Sequence, residues 1–365
     1  MMRIAPDPES ITLLRWRLHD WYRGNRRDLP WRRTLDSYAI WVSEIMLQQT
    51  RVAVVVDRFR AFMERFPTLV SLALAPEEDV LALWSGLGYY RRARMLHKAA
   101  QFVAAHNEGN LPAASAELRL LPGIGSYTAA AIASISHGEQ VAVVDGNVAR
   151  VICRLQGWEE AGRTGGAALR RNIELHAADL LDPERPGDFN QAMMELGATV
   201  CLPRNPRCGA CPVSAHCITR GEHRTQPRPR MLSREVSYAL AVRMGRRAGS
   251  LHREVLLERR SASNTVMPGL WELPTLREVP VPEADLRLTV RHAIMRVNYY
   301  VRVRTVAEED VDALTVACGE RDWFPLIRAG DMALTGLARK ILSRAHLLPA
   351  AQVEFTAAYG ESESA

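Results

Sequence analysis

Lysine is almost missing from this chain: of 47 basic residues only two, Lys98 and Lys340, are lysines. A Schiff-base mechanism therefore has two candidate nitrogens, and the positive charge rests on arginine, whose rigid fork grips phosphate. A high-GC coding bias explains most of such an excess but leaves that chemical consequence intact. Long apolar runs are missing too, so nothing reaches the roughly 20 residues of a membrane span. Charges at Asp7, Glu9, Arg15 and Arg17 precede any apolar run, which argues against a secretory leader. Cysteine is scarce, six residues in all, so reduced thiols or metal ligands are expected rather than a disulfide framework. No clear internal repeat or low-complexity tract occurs.

At 365 residues the chain has room for two domains. Its 47% hydrophobic and 24% charged content is that of a globular protein. The net charge of +6 and pI near 9.2 suit a polyanionic partner. A cytoplasmic, nucleoid-associated monomer that binds DNA and no membrane is the expectation.

From Ile11 to about Ala198 apolar residues recur at three and four positions between Gly and Pro breaks, which predicts helices, among them Ile40–Phe66, Glu77–Trp84, Arg92–Ala105 and Tyr127–Ser136. Residues 219–234, rich in Pro, Arg and polar side chains, read as an interdomain linker. Alternating segments follow at Tyr238–Arg243, Glu254–Leu257, Thr289–His292 and Tyr299–Val306, then a helical stretch at Met332–Arg344. The expected fold is a mostly α domain over 1–218, a smaller α+β domain over 235–348 and a tail over 349–365.

Cys201, Cys208, Cys211 and Cys217, separated by six, two and five residues, can close around one metal centre. Zinc takes four thiolates as well, usually as two close pairs further apart. Arg204 and Arg207 in the same loop suit phosphate contacts, or simply a solvated basic surface. The run Leu120–Thr128, L-L-P-G-I-G-S-Y-T, reads as a hairpin between two helices. Gly123 and Gly125 let its backbone approach a phosphate at the amides of the next helix. Asp145, in V-V-D-G-N-V-A-R, ends a strand-like apolar segment and precedes a helix, where capping is the plain role. Glu44 in W-V-S-E-I-M-L-Q-Q-T has Ile40, Trp41 and Leu47 on its helix face. A glutamate in such surroundings keeps its proton toward neutrality.

The cysteine run resembles the signature of endonuclease III-type glycosylases, which hold a 4Fe-4S cluster, and the hairpin resembles the helix-hairpin-helix of that superfamily. W-V-S-E-I-M-L-Q-Q-T, with L-P-W-R before it and G-L-G-Y-Y-R-R-A after it, closely resembles the adenine DNA glycosylases of the MutY family. That resemblance implies a DNA base-excision enzyme that flips out adenine mispaired with 8-oxoguanine or guanine in double-stranded DNA and leaves an abasic site. It makes Glu44 the acid for the imidazole ring of adenine and Asp145 the carboxylate facing the sugar, where an oxocarbenium-like cation develops. Trp31, Arg32 and Gln191 then line the adenine pocket, Gln49 and Tyr89 fill or wedge the stack, and Leu47, Gln48, Thr50 and Asn147 belong to the same DNA and substrate surface. Tyr127 stands where bifunctional relatives place a nucleophilic lysine, so strand cleavage by that route is not expected.

G-L-W-E-L-P at Gly269–Pro274 resembles the Nudix-like C-terminal domain of the family, without the acidic run that binds magnesium in Nudix hydrolases. Such a domain inspects oxidised guanine. Where the family commonly has an aromatic or aliphatic residue, Ser or Thr, then His, this chain reads Ile294, Met295, Arg296; Arg296 or His292 are the substitutes at hand. A glycosylase for thymine opposite guanine and a non-catalytic DNA-binding module are the alternatives. Both carboxylates argue against the module, since phosphate binding needs neither.

Overall fold

Every residue from Tyr38 to Met46 is buried, as befits a helix that is apolar but for Ser43 and Glu44 over that span. Asp36 starts it, accepting from the backbone N–H groups of Tyr38 and Ala39 at 3.1 and 3.3 Å. The computed structural model describes residues 7–159, 166–223, 231–247, 250–264, 266–277, 281–294 and 297–348. They fall into two units, one from Met1–Val80 and Tyr89–Pro229, the other from Leu81–Gly88 and Arg230–Ala365. The helices up to residue 199 are α1 (Pro8–Asn25), α2 (Ser37–Leu47), α3 (Val52–Arg65), α4 (Leu69–Ala73), α5 (Glu77–Leu83), α6 (Arg91–His106), α7 (Ser115–Leu118), α8 (Ser126–His137), α9 (Gly146–Leu155), α10 (Ala167–Leu180) and α11 (Pro186–Thr199).

One core of the first unit joins Leu14, Leu18 and Tyr22 of α1 to Val148, Val151 and Ile152 of α9 and to Phe189, Met193 and Leu196 of α11, with Cys201, Cys211 and Cys217 packed against it. Each aliphatic side chain so buried contributes about 1.5–3 kcal/mol. Gly197 sets the spacing of α9 and α11, because a Cβ there would lie 2.6 Å from the Cβ of Asn147. Helix α8 starts on Gly125 and ends on Gly138, whose left-handed φ of 68° closes the helix.

The structure departs from the sequence pattern at two places in this unit. The helix expected over 40–66 is broken: α2 stops at Leu47, and Gln49 takes a left-handed φ of 58° before α3 begins at Val52. No Gly or Pro marks that break. Residues 141–144, expected to be strand-like, join no strand and instead lead straight into the Asp145 cap.

The second unit is α+β, as expected. Its strands are β1 (Leu232–Leu240), β2 (Val242–Arg247), β3 (Ser250–Arg259), β4 (Trp271–Glu272), β5 (Thr275–Leu276), β6 (Leu286–Ile294), β7 (Val297–Thr305), β8 (Thr315–Val316) and β9 (Arg321–Pro325), with helices α12 (Val311–Leu314), α13 (Leu326–Ala329) and α14 (Gly336–Arg344). One sheet runs β6-β7-β1-β5-β8, with β1 parallel to β7 and β6 antiparallel to it; β2-β3-β4 and β9 form the other. Val290, Val301, Val303, Val255 and Leu257 pack with Leu337, Ile341 and Leu342 of α14. Glu254–Leu257 and Thr289–His292 lie inside longer strands, but the segment expected at Tyr238–Arg243 is divided at Ala241 between β1 and β2, which belong to different sheets. Strand β7 ends at Thr305, and the last helix starts at Gly336, not Met332, because Thr335 caps it. Of the expected linker, 224–230 lies outside the described residues and 232–234 already belongs to β1. The tail from 349 also lies outside them.

Candidate active site

A cavity of about 530 Å³ opens in the first unit, lined by α2, α8, α11 and the start of α9. Glu44 reaches it from α2, beside Ile40 and Leu47, and is only 5% exposed. Tyr127, the second residue of α8, donates its hydroxyl to Oε2 of Glu44. Burial pushes the Glu44 carboxyl up to about 7; the Tyr127 hydrogen bond and Arg32 pull against it, and the charge of Asp145 adds to it. This acid therefore keeps its proton far closer to neutrality than an ordinary glutamate does. Tyr127 itself, buried and facing Glu44 and Asp145, is held far above the ordinary phenol range.

Asp145 stands at the same wall as the N-cap of α9. Its Oδ1 accepts from the Val148 N–H at 2.7 Å and its Oδ2 from the Asn147 amide at 2.9 Å. Burial raises its pKa, and these two donors oppose the rise. Capping and a place at the cavity are thus both present, and the cap is what fixes the carboxylate.

Glu195, which the sequence reading did not single out, is fully buried. It accepts from Arg27 Nε and Nη2, both at 2.7 Å, and from Arg32 Nη2 at 2.8 Å. Burial alone would raise its pKa, but the two guanidinium groups outweigh it and bring the carboxyl to about 2. Arg27, Ser43 and Met194 are further wall residues that were missed. The signal existed: Gln191, Met194, Glu195 and Ala198 follow one another at helical spacing on one face of α11.

The cavity also brings together Trp31, Arg32, Leu47, Gln48, Gln49, Thr50, Asn147 and Gln191. Trp31 packs edge-on against Phe59 at 5.4 Å, and Gln191 accepts from the Tyr22 hydroxyl at 3.3 Å. Gln48 donates to Thr128 of α8 at 3.4 Å. Tyr89 is 48% exposed, with a left-handed φ of 48°, and is not among the wall residues. Gly123 takes φ 78° where a Cβ would sit 2.6 Å from the Cβ of Met95, so the hairpin requires glycine there; the space around Gly125 is open. Neither Lys98 nor Lys340 lines the cavity. In the second unit His292 is half-buried on β6, while Met295 and Arg296 lie outside the described residues.

Cys201, Cys208, Cys211 and Cys217 are free thiols around one small cavity. The buried Arg154 donates to Sγ of Cys201 at 3.4 Å and to the carbonyls of Leu202 and Pro203. Arg150 bonds the Cys201 carbonyl at 2.8 Å and Oδ1 of Asn147 at 2.8 Å. Burial raises the pKa of the Cys201 thiol and pushes that of Cys211 up to about 11, so thiolates in this loop need a cationic partner. Four such sulfurs about one cavity, with an N–H donor to one of them, fit an iron-sulfur cluster.

Comparison with known proteins agrees with this geometry. Residues 42–172 match the HhH-GPD superfamily of base excision DNA repair proteins, and 201–217 match the iron-sulfur binding domain of endonuclease III. An adenine DNA glycosylase of Mycolicibacterium smegmatis is 45% identical over 205 residues, covering 56% of this chain and 68% of the relative. The chain belongs to the adenine DNA glycosylase family. The human adenine DNA glycosylase is 47% identical over 223 residues, which cover 59% of this chain and 40% of that protein. The chain thus spans about two fifths of the length of this larger relative. Among solved structures, a thermostable thymine-DNA glycosylase aligns at a TM-score of 0.52 with 27% identity, covering 58% of this chain and 97% of that one. The cofactor of this adenine DNA glycosylase family member is a 4Fe-4S cluster. Among the described residues, no helix is long and apolar enough to cross a membrane.

Proposed function

We propose that this protein excises adenine paired with 8-oxoguanine or guanine in duplex DNA, hydrolysing the N-glycosidic bond and leaving an abasic site. The observation that carries the reading is one cavity with two carboxyl groups set for different tasks, Glu44 protonated near neutrality and Asp145 fixed at a helix cap. Adenine leaves poorly as an anion, so Glu44 delivers a proton to its imidazole ring as the bond to the sugar stretches. Tyr127, bonded to Oε2 of Glu44, keeps the other carboxyl oxygen free for that proton. Asp145 faces the sugar and stabilises the oxocarbenium-like cation until water adds. Trp31, Arg32, Gln191 and Glu195 shape the base pocket, and Glu195 keeps Arg27 and Arg32 pointed at its wall.

Duplex DNA is the partner, held through the hairpin at Gly123 and Gly125 and the amides that open α8. Gln49 and Tyr89 enter the stack as the adenine leaves it. The protein works as a monomer in the nucleoid. Cys201, Cys208, Cys211 and Cys217 hold the 4Fe-4S cluster, which when bound ties the loop together through iron-sulfur bonds. Residues 1–218 form the glycosylase domain. Residues 235–348 form a Nudix-like domain that inspects the partner base through His292, Met295 and Arg296, with weaker selection of oxidised over normal guanine than relatives that carry Ser or Thr and His there.

The likeness to a thymine-DNA glycosylase keeps thymine as the second reading. One experiment separates them: single-turnover incubation of the holoprotein with duplexes pairing A or T with G or 8-oxoguanine, with and without alkali. Adenine release with nicking only after alkali is the expected result. Thymine release from T·G duplexes favours the second reading, and nicking without alkali contradicts the monofunctional one.

A further inference from the structure

Arg92 sits in the first turn of α6, the end of a helix where a positive charge is least welcome. Its guanidinium serves another helix. Nη1 donates to the carbonyls of Ile45 and Met46 at 2.7 and 3.2 Å and to that of Gln48, and Nη2 donates to Oγ1 of Thr50 at 3.2 Å. These are the carbonyls that the end of α2 leaves without helical partners, where a cation is favoured. The same guanidinium lies 5.6 Å from the centre of the Tyr89 ring, within cation–π reach, and the Arg92 N–H bonds the Tyr89 carbonyl at 2.8 Å. Arg92 therefore grips the chain on both sides of Gln49 and also holds Tyr89. Gln49 and Tyr89 are both exposed, and both have the left-handed backbone that non-glycine residues rarely adopt. Such conformations persist only where the surroundings over-determine them.

We propose that Arg92 is a positioning residue that locks Gln49 and Tyr89 together in their left-handed, outward-facing state, so that both are ready to enter the duplex when the target base leaves it. The proposal rests on the reading of Gln49 and Tyr89 as residues that enter the stack. Arg92 touches no reacting atom and acts through these two side chains. Lysine cannot replace it, since one ammonium cannot span three carbonyls, a hydroxyl and a ring face at once. Burial lowers the pKa of Arg92 to about 10, so it stays charged across the working range of pH.

The test uses the full holoprotein carrying Arg92→Lys, with Thr50→Val, which removes the Oγ1 that accepts from Arg92 and donates to the Gln48 carbonyl, as the milder variant. Visible absorbance of the cluster verifies that each is folded. In the DNA-free protein, amide hydrogen exchange should rise together at 48–51 and 89–90 and stay unchanged in α9. With a duplex carrying 2-aminopurine at the target position, the fluorescence rise that reports unstacking should be lost or slowed. Single-turnover adenine release should fall about 10- to 100-fold, the cost of small misplacements far from the chemistry. The pH midpoint of the residual rate should stay where the wild type has it, which a disturbance of Glu44 would not allow. Unchanged exchange in either segment, or wild-type unstacking by Arg92→Lys, overturns the proposal. If the wild type itself releases no adenine, the functional reading falls, and the exchange measurement still decides the clasp.

Discussion

Glu44 and Glu195 line one cavity, both buried, and their acidities are driven apart: the first carboxyl lies near 7 and the second near 2. The difference is in their partners. Among the described residues Glu44 has a phenol and no guanidinium within bonding distance, whereas Glu195 takes three side-chain hydrogen bonds from Arg27 and Arg32. One site can then hold both a proton donor and an anion on its walls.

Glu195→Gln leaves two guanidinium groups without their carboxylate. The expected loss of stability is about 3 kcal/mol, reduced by screening at Arg27, whose side chain is 38% exposed. Because the folded pKa is depressed, the wild-type contribution is complete above the ordinary glutamate range and disappears as pH falls toward 2. Urea unfolding at pH 7 and pH 3 measures it: the gap between wild type and variant should shrink at the lower pH. A variant as stable as wild type at pH 7 would show that the network is not stabilising.

Tyr127→Phe removes the hydroxyl that holds down the pKa of Glu44. The alkaline limb of the pH–rate profile should move to higher pH, and the rate on its plateau should fall by about fivefold, the worth of one ordinary hydrogen bond. A limb that moves to lower pH contradicts the assignment of Tyr127 as donor to Glu44.

Asn147→Ala deletes one of the two donors that keep Asp145 ionised. The acid limb should then shift upward, because Asp145 must lose its proton to stabilise a cation. The same change takes a partner from Arg150, which connects Asn147 to the Cys201 carbonyl. Thermal unfolding followed by cluster absorbance should report the loss of that connection as a lower midpoint.

That Glu44, Asp145 and Tyr127 belong together on one cavity was legible in the sequence, because each sits in a short local motif. Glu195 shares a helix face with Gln191, but its pairing was not legible, because it depends on Arg27 and Arg32, more than 160 residues away along the chain. The break after Leu47 was hidden for a similar reason: it depends on Arg92, 44 residues beyond Gln48, and no glycine or proline announces it. In the second unit the alternation at Tyr299–Val306 pointed to a strand. Nothing local revealed that β7 runs parallel to β1, pairing Leu232 with Val297, since such pairing is set by packing across the whole sheet. The Ile294–Arg296 departure stays a matter of sequence, as two of its residues lie outside the described ones.

The central claim is that a protonated Glu44 drives adenine release, and Glu44→Gln under single-turnover conditions tests it most directly. Glutamine keeps the shape and can still accept from Tyr127 but has no proton to give. Its folded-state cost also differs: a carboxyl raised to about 7 stabilises most below its unfolded pKa and loses that benefit as pH rises through 7. The variant should therefore be more stable than wild type at pH 8, by about 1–3 kcal/mol, while retaining duplex affinity. Wild-type release of adenine should decline tenfold per unit above pH 7, and Glu44→Gln should be slower by about 10²- to 10⁴-fold at and below pH 7, with no such decline of its own, so that the gap narrows as pH rises. Near wild-type release by Glu44→Gln, with the same decline above pH 7, would contradict the account.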